Sequence, residues 1–120
     1  MHRDREGKVM TVDFEIEGLS FVALYGGPHF KFNESIFIII NCDTQDEVDY
    51  YWEKLSEDGD PEAQRCGWLK DMFGLSWQIV PTKFIEMVND PDMEKVRRVL
   101  EAMYPMKNLD IEALNKAYRG

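Results

Sequence analysis

The fold is decided by residues 35–55, which read SIFIIINCDTQDEVDYYWEKL. The run 36–40 is apolar on both faces and mostly β-branched, which predicts a central strand covered on both sides. Thr44 and Glu47 then have the S/T-x-x-E spacing of a capping box, in which each side chain satisfies a backbone amide at a helix start. We predict that this helix ends at Gly59 in the left-handed conformation. Its apolar stripe consists of Val48, Tyr51, Trp52 and Leu55.

The residues before this stretch predict an antiparallel hairpin. Apolar and polar residues alternate from residue 10 to residue 16, which is the period of a strand with one wet face. Glu17 and Gly18 supply a tight turn, and residues 19–25 continue as the partner strand. Residues 26–34, with two glycines and a proline, are predicted to be a long connection.

The residues after it predict two more strands and a helical tail. Strands are expected at 66–69 and 75–80, with a turn around Gly74 between them and Pro81 closing the second. The tail predicts a short helical turn near 84–88, then a helix with Asp90 as N-cap and Pro91 at its first position, and a last helix over residues 111–118. The fold class predicted is α+β, in one domain spanning residues 1–120.

Charge and composition exclude several classes of partner. The formal net charge of −9, without a basic run, disfavours binding to nucleic acid. The longest apolar run is about a quarter of the ~20 residues that a membrane span needs, and no apolar signal segment follows the first residues. We therefore expect a cytoplasmic protein with no membrane partner. Cys42 and Cys66 have neither disulfide-framework nor zinc-site spacing, so both are expected to be reduced thiols, with a redox role as the alternative.

Three blocks of sequence resemble a known family. They are VMTVDFEIEG at 9–18, GGPHFKFNE at 26–34 and CGWLKDMFGLSWQIVP at 66–81. They are similar to the PhnB-like group of the vicinal-oxygen-chelate superfamily, the glyoxalase and bleomycin-resistance type, a group often labelled 3-demethylubiquinone-9 3-methyltransferase. The resemblance covers nearly the whole chain. It implies a βαβββ module at 35–81, preceded by a hairpin at 8–25 that ends a first module and followed by C-terminal helices at 82–120.

The resemblance also implies an oligomer. Family members have two βαβββ modules, whereas this sequence matches the first module only from its third strand onward. A sheet without its other strands leaves unpaired edges and uncovered apolar surface. We therefore expect a homodimer formed through exchanged or edge-paired strands.

The same alignment bears on metal and cofactor. In metal-using members of the superfamily, His and Glu side chains from the sheet bind a divalent ion; here Ser35 stands at the His position and Gln78 at the Glu position. A hydroxyl and a neutral amide are weak substitutes for these ligands, so we predict no metal. The family label would imply S-adenosylmethionine, but the sequence lacks a glycine-rich turn between a first strand and a helix, so no cofactor is predicted.

The candidate ligand-binding residues form a small set. An apolar pocket with one orienting amide is typical of small-molecule sites. Alternatively, Trp77 packs under the helix that carries Trp52, which would leave Gln78 and Ser76 on the open side of the sheet. His29 is either an acid/base group or a residue that packs its loop. The candidates are Gln78, Ser35, Phe37, Trp68, Trp77 and His29.

Four functional hypotheses follow. The first is a metal-independent, PhnB-like dimer that binds a small molecule. The second is a metal-dependent enzyme of glyoxalase, dioxygenase or resistance type that completes its ligand set with a partner's residues. The third is a structural domain without a ligand, and the fourth is the methyltransferase that the family label names.

Overall fold

The computed structural model describes residues 11–24 and 31–120, which fall into two compact units divided between Lys31 and Phe32. The described elements are α-helices and β-strands in two separate sheets, so the predicted α+β class is confirmed. Across these two ranges, no helix combines the length and the apolar character needed to cross a bilayer.

The first unit contains the predicted hairpin. Strand β1 (Thr11–Ile16) pairs antiparallel with β2 (Leu19–Leu24), with Ile16 opposite Leu19. Glu17 and Gly18 have φ values of 51° and 80°, the two positive φ angles that a two-residue turn of this kind requires. The register places six apolar side chains on one face of the hairpin: Val12, Phe14, Ile16, Leu19, Phe21 and Ala23.

The second unit is built on a three-stranded sheet in the order β3-β5-β4. Strand β3 (Phe37–Cys42) lies parallel to β5 (Ser76–Pro81), and β5 lies antiparallel to β4 (Trp68–Lys70). The prediction that the Ile-rich strand is central is wrong for this sheet, because the chain returns after the helix to place β5 between the other two strands. Helix α1 (Gln45–Ser56) covers one face, where Cys42, Val48, Leu69 and Ile79 form a buried core.

The strand count after α1 is lower than the resemblance implies. Within residues 31–120, two strands follow the helix where a βαβββ module has three. An isolated antiparallel bridge between Arg65 and Trp68 stands beside β4 at the outer edge of the sheet. A short 3-10 turn, Pro61–Ala63, precedes it.

Helix α1 begins as predicted and ends differently. The Thr44 side chain accepts a hydrogen bond from the Glu47 amide, while the Glu47 carboxylate accepts from the amide of Asp43. At the other end, Asp58 and not Gly59 takes the positive φ, at 59°. Gly59 is required for space instead, because a Cβ there would lie 2.2 Å from the carbonyl oxygen of Lys70.

Three helices complete the second unit around another buried cluster. They are α2 (Thr82–Val88), α3 (Met93–Met103) and α4 (Ile111–Arg119). The predicted N-cap of α3 is wrong: Asp92 caps the helix by accepting from two amides of its first turn. Asp90 lies two residues before Asp92 and accepts from the hydroxyl of Tyr118 instead. The cluster consists of Met87, Val99, Leu109 and Leu114.

Candidate functional site

The face of the β3-β5-β4 sheet opposite α1 carries polar side chains, whereas the face that α1 covers forms an apolar core. Alternation along a strand sends successive side chains to opposite faces, and the strand register aligns the residues that share one. Phe37 lies opposite Ser76 on β5, and Ser76 lies opposite Lys70 on β4. Two residues further along β5, Gln78 lies opposite Ile39 on β3 and opposite Trp68 on β4. We call this surface the open face, defined by Phe37, Ile39, Trp68, Lys70, Ser76 and Gln78.

An aromatic contact crosses the open face. The ring centroids of Phe37 and Trp68 lie 4.2 Å apart with the planes tilted by 58°. These residues belong to strands on either side of β5, so their backbones are separated by two strand spacings of ~4.8 Å each. The two side chains therefore lean towards each other over β5. Ser76, on β5 beside this contact, is only 2% exposed although no helix residue of α1 lies on this face.

A groove of about 370 Å³ borders the open face at the β4 edge. Trp68, Lys70 and Ser76 line it from the sheet, and Glu34 closes it from the segment before β3. The residues around the 3-10 turn contribute the remaining charged side chains, Asp60, Glu62 and Arg65. The groove thus combines an indole, a buried hydroxyl and charges of both signs.

The one described ion pair within the groove joins Lys70 to Glu34. The side chain of Lys70 is 30% exposed, and that of Glu34 is 69% exposed. The hydrogen bond from the Lys70 ammonium lowers the pKa of the Glu34 carboxyl below its ordinary value. Glu34 is therefore a carboxylate at neutral pH, and it is paired with the Lys70 ammonium at the edge of the open face.

Trp77 does not belong to the open face. It lies against the α1 core, and its indole Nε1 donates to Asp71 Oδ2 at 2.9 Å. The other oxygen of Asp71 accepts from the amides of Phe73 and Leu75. The structure therefore separates Trp77 from Trp68, Phe37 and Gln78, in agreement with the alternative in which Trp77 packs under the helix. Asp71 couples the β4–β5 turn to this indole.

Ser35 is not part of the open face. Ser35 lies in the exposed turn before β3, where its amide donates to Asn33 Oδ1. His29 lies outside the described residues. In the described part of the chain, no three His, Cys, Asp or Glu side chains are grouped to hold a metal ion. The hydroxyl of Ser35 and the amide of Gln78 also do not fit the His and Glu positions of a metal site.

The two cysteines differ in their environment. Cys42 is fully buried at the end of β3, and burial, with contributions from Glu47 and Asp43, raises the pKa of its thiol to about 11. Cys66 is partly exposed, and its Sγ lies 3.4 Å from the carbonyl oxygen of Tyr104. Cys42 is accordingly a packing residue and a poor nucleophile.

Sequence reasoning missed Lys70 and Glu34, and it placed Ser76 on the open side of the sheet without naming it as a candidate. The predicted strand ends at residue 69, but the alternation from Trp68 through Leu69 extends to Lys70. Ser76 follows from the same alternation through Gln78. Glu34 had no sequence signal, because its contact with Lys70 joins residues 36 positions apart.

Comparison with known proteins places the chain in context. The family model described as 3-demethylubiquinone-9 3-methyltransferase matches residues 1–80. Among solved structures, the chain is similar to a PhnB protein from Bacillus cereus, with 28% sequence identity and a TM-score of 0.50. The similarity covers 60% of this chain and 64% of that one, so this chain matches less than two thirds of the relative's length. A search of curated proteins finds no match.

Proposed function

Because this chain belongs to the family described as 3-demethylubiquinone-9 3-methyltransferase and is PhnB-like in structure, we propose that it binds a small molecule on the open face, without a metal, as a homodimer. The observation that carries the proposal is the Phe37–Trp68 contact beside Ser76 and Gln78. Aromatic walls with a few converging polar groups are the usual composition of ligand sites. Membership of a fold family supplies no reaction, so no activity is assigned.

The two tryptophans of the sheet provide the test of ligand binding. We would titrate ¹⁵N-labelled protein with a panel of small metabolites and follow the indole N–H signals. A ligand on the open face shifts the Trp68 signal and leaves that of Trp77, which lies on the other face and is bonded to Asp71, in place.

Gln78 provides the matched variant. Gln78→Ala should weaken binding of any hit about fivefold, the equivalent of about one neutral hydrogen bond. Glu53→Ala, on the exposed side of α1, is the control and should leave binding unchanged. A panel in which no compound moves the Trp68 signal would refute the proposal of a ligand site.

The dimer proposal rests on apolar surface in the described residues. On the hairpin, Val12, Phe14 and Leu19 are 51%, 43% and 65% exposed and share one face. A hairpin of two strands is at best marginally stable in water unless such a face is covered. In the sheet of the second unit, β3 pairs with β5 along one edge and has no partner strand along its other edge among the described residues. A second copy could cover the apolar face of the hairpin and pair with the edge of β3, which would remove the exposed apolar surface and the unpaired strand edge.

Sedimentation velocity over a range of micromolar concentrations tests the dimer. The wild-type chain should sediment with twice the chain mass, and Phe14→Glu should shift it towards the monomer. Asp13→Lys, on the polar face of the same strand, is the control and should remain dimeric. A wild-type protein that sediments as a monomer throughout would contradict the proposal.

Metal independence is proposed from the donor set, in which a hydroxyl and an amide stand at the expected ligand positions. Addition of Mn²⁺, Ni²⁺ or Zn²⁺ to metal-free protein should leave its melting temperature unchanged. A rise in melting temperature that a metal induces and that Gln78→Ala abolishes would favour the metal-dependent enzyme.

A cytoplasmic location is part of the proposal too, since Cys42 and Cys66 are both free thiols.

A further inference from the structure

We propose that the groove at the β4 edge selects a monocarboxylate with a flat apolar body, and that Glu34 holds the place of the ligand carboxylate on Lys70 until the ligand displaces it. This inference rests on the proposed small-molecule function and adds the chemical class of the ligand. It also identifies a group of the chain itself, the Glu34 carboxylate, that competes with the ligand for Lys70.

The polar end of the site follows from the strand register. Lys70 and Ser76 lie directly opposite each other on β4 and β5, and both line the groove. Directly opposed residues of an antiparallel pair have Cβ atoms about 5 Å apart, so one carboxylate can reach both side chains. An ammonium and a hydroxyl are both donors to such a group. Ser76 lines the groove and is only 2% exposed, so this residue lies at the floor of the groove.

The placeholder role follows from the contact that is already made. The Glu34 carboxylate is on the Lys70 ammonium, which demonstrates that a carboxylate fits there. Glu34 is 69% exposed and makes this contact from a segment outside the sheet. An exposed ion pair contributes little to stability, so a ligand carboxylate with further contacts can replace it. The competing group is charged at neutral pH, because an ordinary carboxyl pKa already lies well below 7 and the Lys70 hydrogen bond lowers that of Glu34 further.

The charge balance favours one negative charge over two. The charged residues that line the groove are three acids and two bases: Glu34, Asp60, Glu62, Arg65 and Lys70. Exchange of Glu34 for a ligand monocarboxylate leaves the charge around Lys70 as it was. A phosphate monoester would add a further negative charge beside Asp60 and Glu62, which like-charge repulsion disfavours.

The apolar end follows from the aromatic contact. Trp68 lines the groove and contacts Phe37, so a flat apolar body beside Lys70 meets the indole. The volume of about 370 Å³ lies near the lower end of the range for ligand sites and suits a molecule of one or two rings. The site as a whole therefore fits an aromatic monocarboxylate.

Benzoate is the probe for the experiment, with benzyl alcohol as its neutral analogue and acetate as the carboxylate without a ring. Each is titrated into the full chain while the Trp68 and Trp77 indole signals are followed. Benzoate should shift the Trp68 signal in saturable fashion and bind at least about fivefold more tightly than either analogue. Lys70→Met should abolish saturable benzoate binding, and Ser76→Ala should weaken it.

Glu34→Gln is the decisive variant, because it removes the competing charge and keeps the shape. It should bind benzoate measurably more tightly than the wild type, by a factor of about five, the equivalent of the ion pair it releases. Glu53→Gln, which removes an exposed carboxylate of α1 outside the groove, is the matched control and should leave benzoate affinity within twofold. Weaker or unchanged benzoate binding by Glu34→Gln would overturn the placeholder role.

The probes separate this inference from the proposed function. If benzyl alcohol shifts Trp68 as benzoate does and Lys70→Met still binds both, the open face is a ligand site but does not select carboxylates. If the metabolite panel and all three probes leave the Trp68 signal in place, both the ligand site and the carboxylate inference fail. A loss of benzoate binding in Lys70→Met counts only where its amide spectrum matches that of the wild type.

Discussion

Replacement of Asp71 by alanine should destabilise the protein substantially, because this one carboxylate organises the turn between β4 and β5. It accepts from the amide of Phe73 at 2.9 Å, from the amide of Leu75 at 3.0 Å and from the indole of Trp77 at 2.9 Å. A net contribution of about 1 kcal/mol for each bond predicts a loss of about 3 kcal/mol in the free energy of unfolding. Domains of this size have a total of about 5–15 kcal/mol, so the loss is a large fraction.

Urea unfolding followed by circular dichroism measures this loss. With a urea dependence of about 2 kcal/mol per molar, the midpoint of Asp71→Ala should fall by about 1.5 M. Asp71→Asn keeps one carbonyl oxygen for the two backbone amides but turns a donor towards the indole of Trp77. It should therefore lose less, about 1 kcal/mol.

Glu53→Ala, an exposed residue of α1, is the reference for a change of charge without these bonds and should lie within about 0.5 kcal/mol of the wild type. The indole N–H signal of Trp77 should move upfield in both Asp71 variants as its acceptor is lost. A loss below about 1 kcal/mol for Asp71→Ala would show that water replaces the carboxylate at little cost, and would refute the reasoning.

Three further predictions concern the second unit. Gly59→Ala should cost about 1–3 kcal/mol, since the new Cβ would lie 2.2 Å from a backbone oxygen of β4; a wild-type urea midpoint would contradict this. Iodoacetamide at pH 8 should alkylate the partly exposed Cys66 well before Cys42, whose thiol is buried with a pKa of about 11, and mass spectrometry of digests reads the order. The hydrogen bond from Tyr118 lowers the pKa of Asp90, so its stabilisation is present above the ordinary carboxyl pKa and is lost as pH falls through the lowered value. The melting temperatures of wild type and Tyr118→Phe should thus differ at pH 7 and converge under acid; a constant difference down to pH 2 would count against it.

Local sequence signals predicted the elements well where the responsible residues are close in sequence. The hairpin follows from alternation and from the Glu17-Gly18 turn, and α1 follows from the reciprocal cap at Thr44 and Glu47. Each signal depends on backbone geometry within a few residues, which the neighbours themselves determine. Two local predictions failed by a short distance. The N-cap of α3 is Asp92 and not Asp90, and the residue with left-handed backbone after α1 is Asp58 and not Gly59.

The second of those errors has a tertiary cause. Gly59 looked like a helix terminator because glycine readily takes positive φ, but the residue is needed because a carbonyl of β4 approaches it. Gly59 and Lys70 are eleven positions apart in the sequence, so no pattern within the helix predicts this contact.

By itself the sequence determined the α+β class, the hairpin, the capped helix after β3 and the resemblance to the PhnB-like group, since these depend on residue type and short-range spacing. Tertiary structure alone decided that β5 lies between β3 and β4, and therefore which side chains meet. The central position of β5 puts Trp77 in the core and Ser76 between Phe37 and Lys70 on the open face. It also brings Glu34 onto Lys70, a pairing across the chain that depends on how the strands are ordered in space.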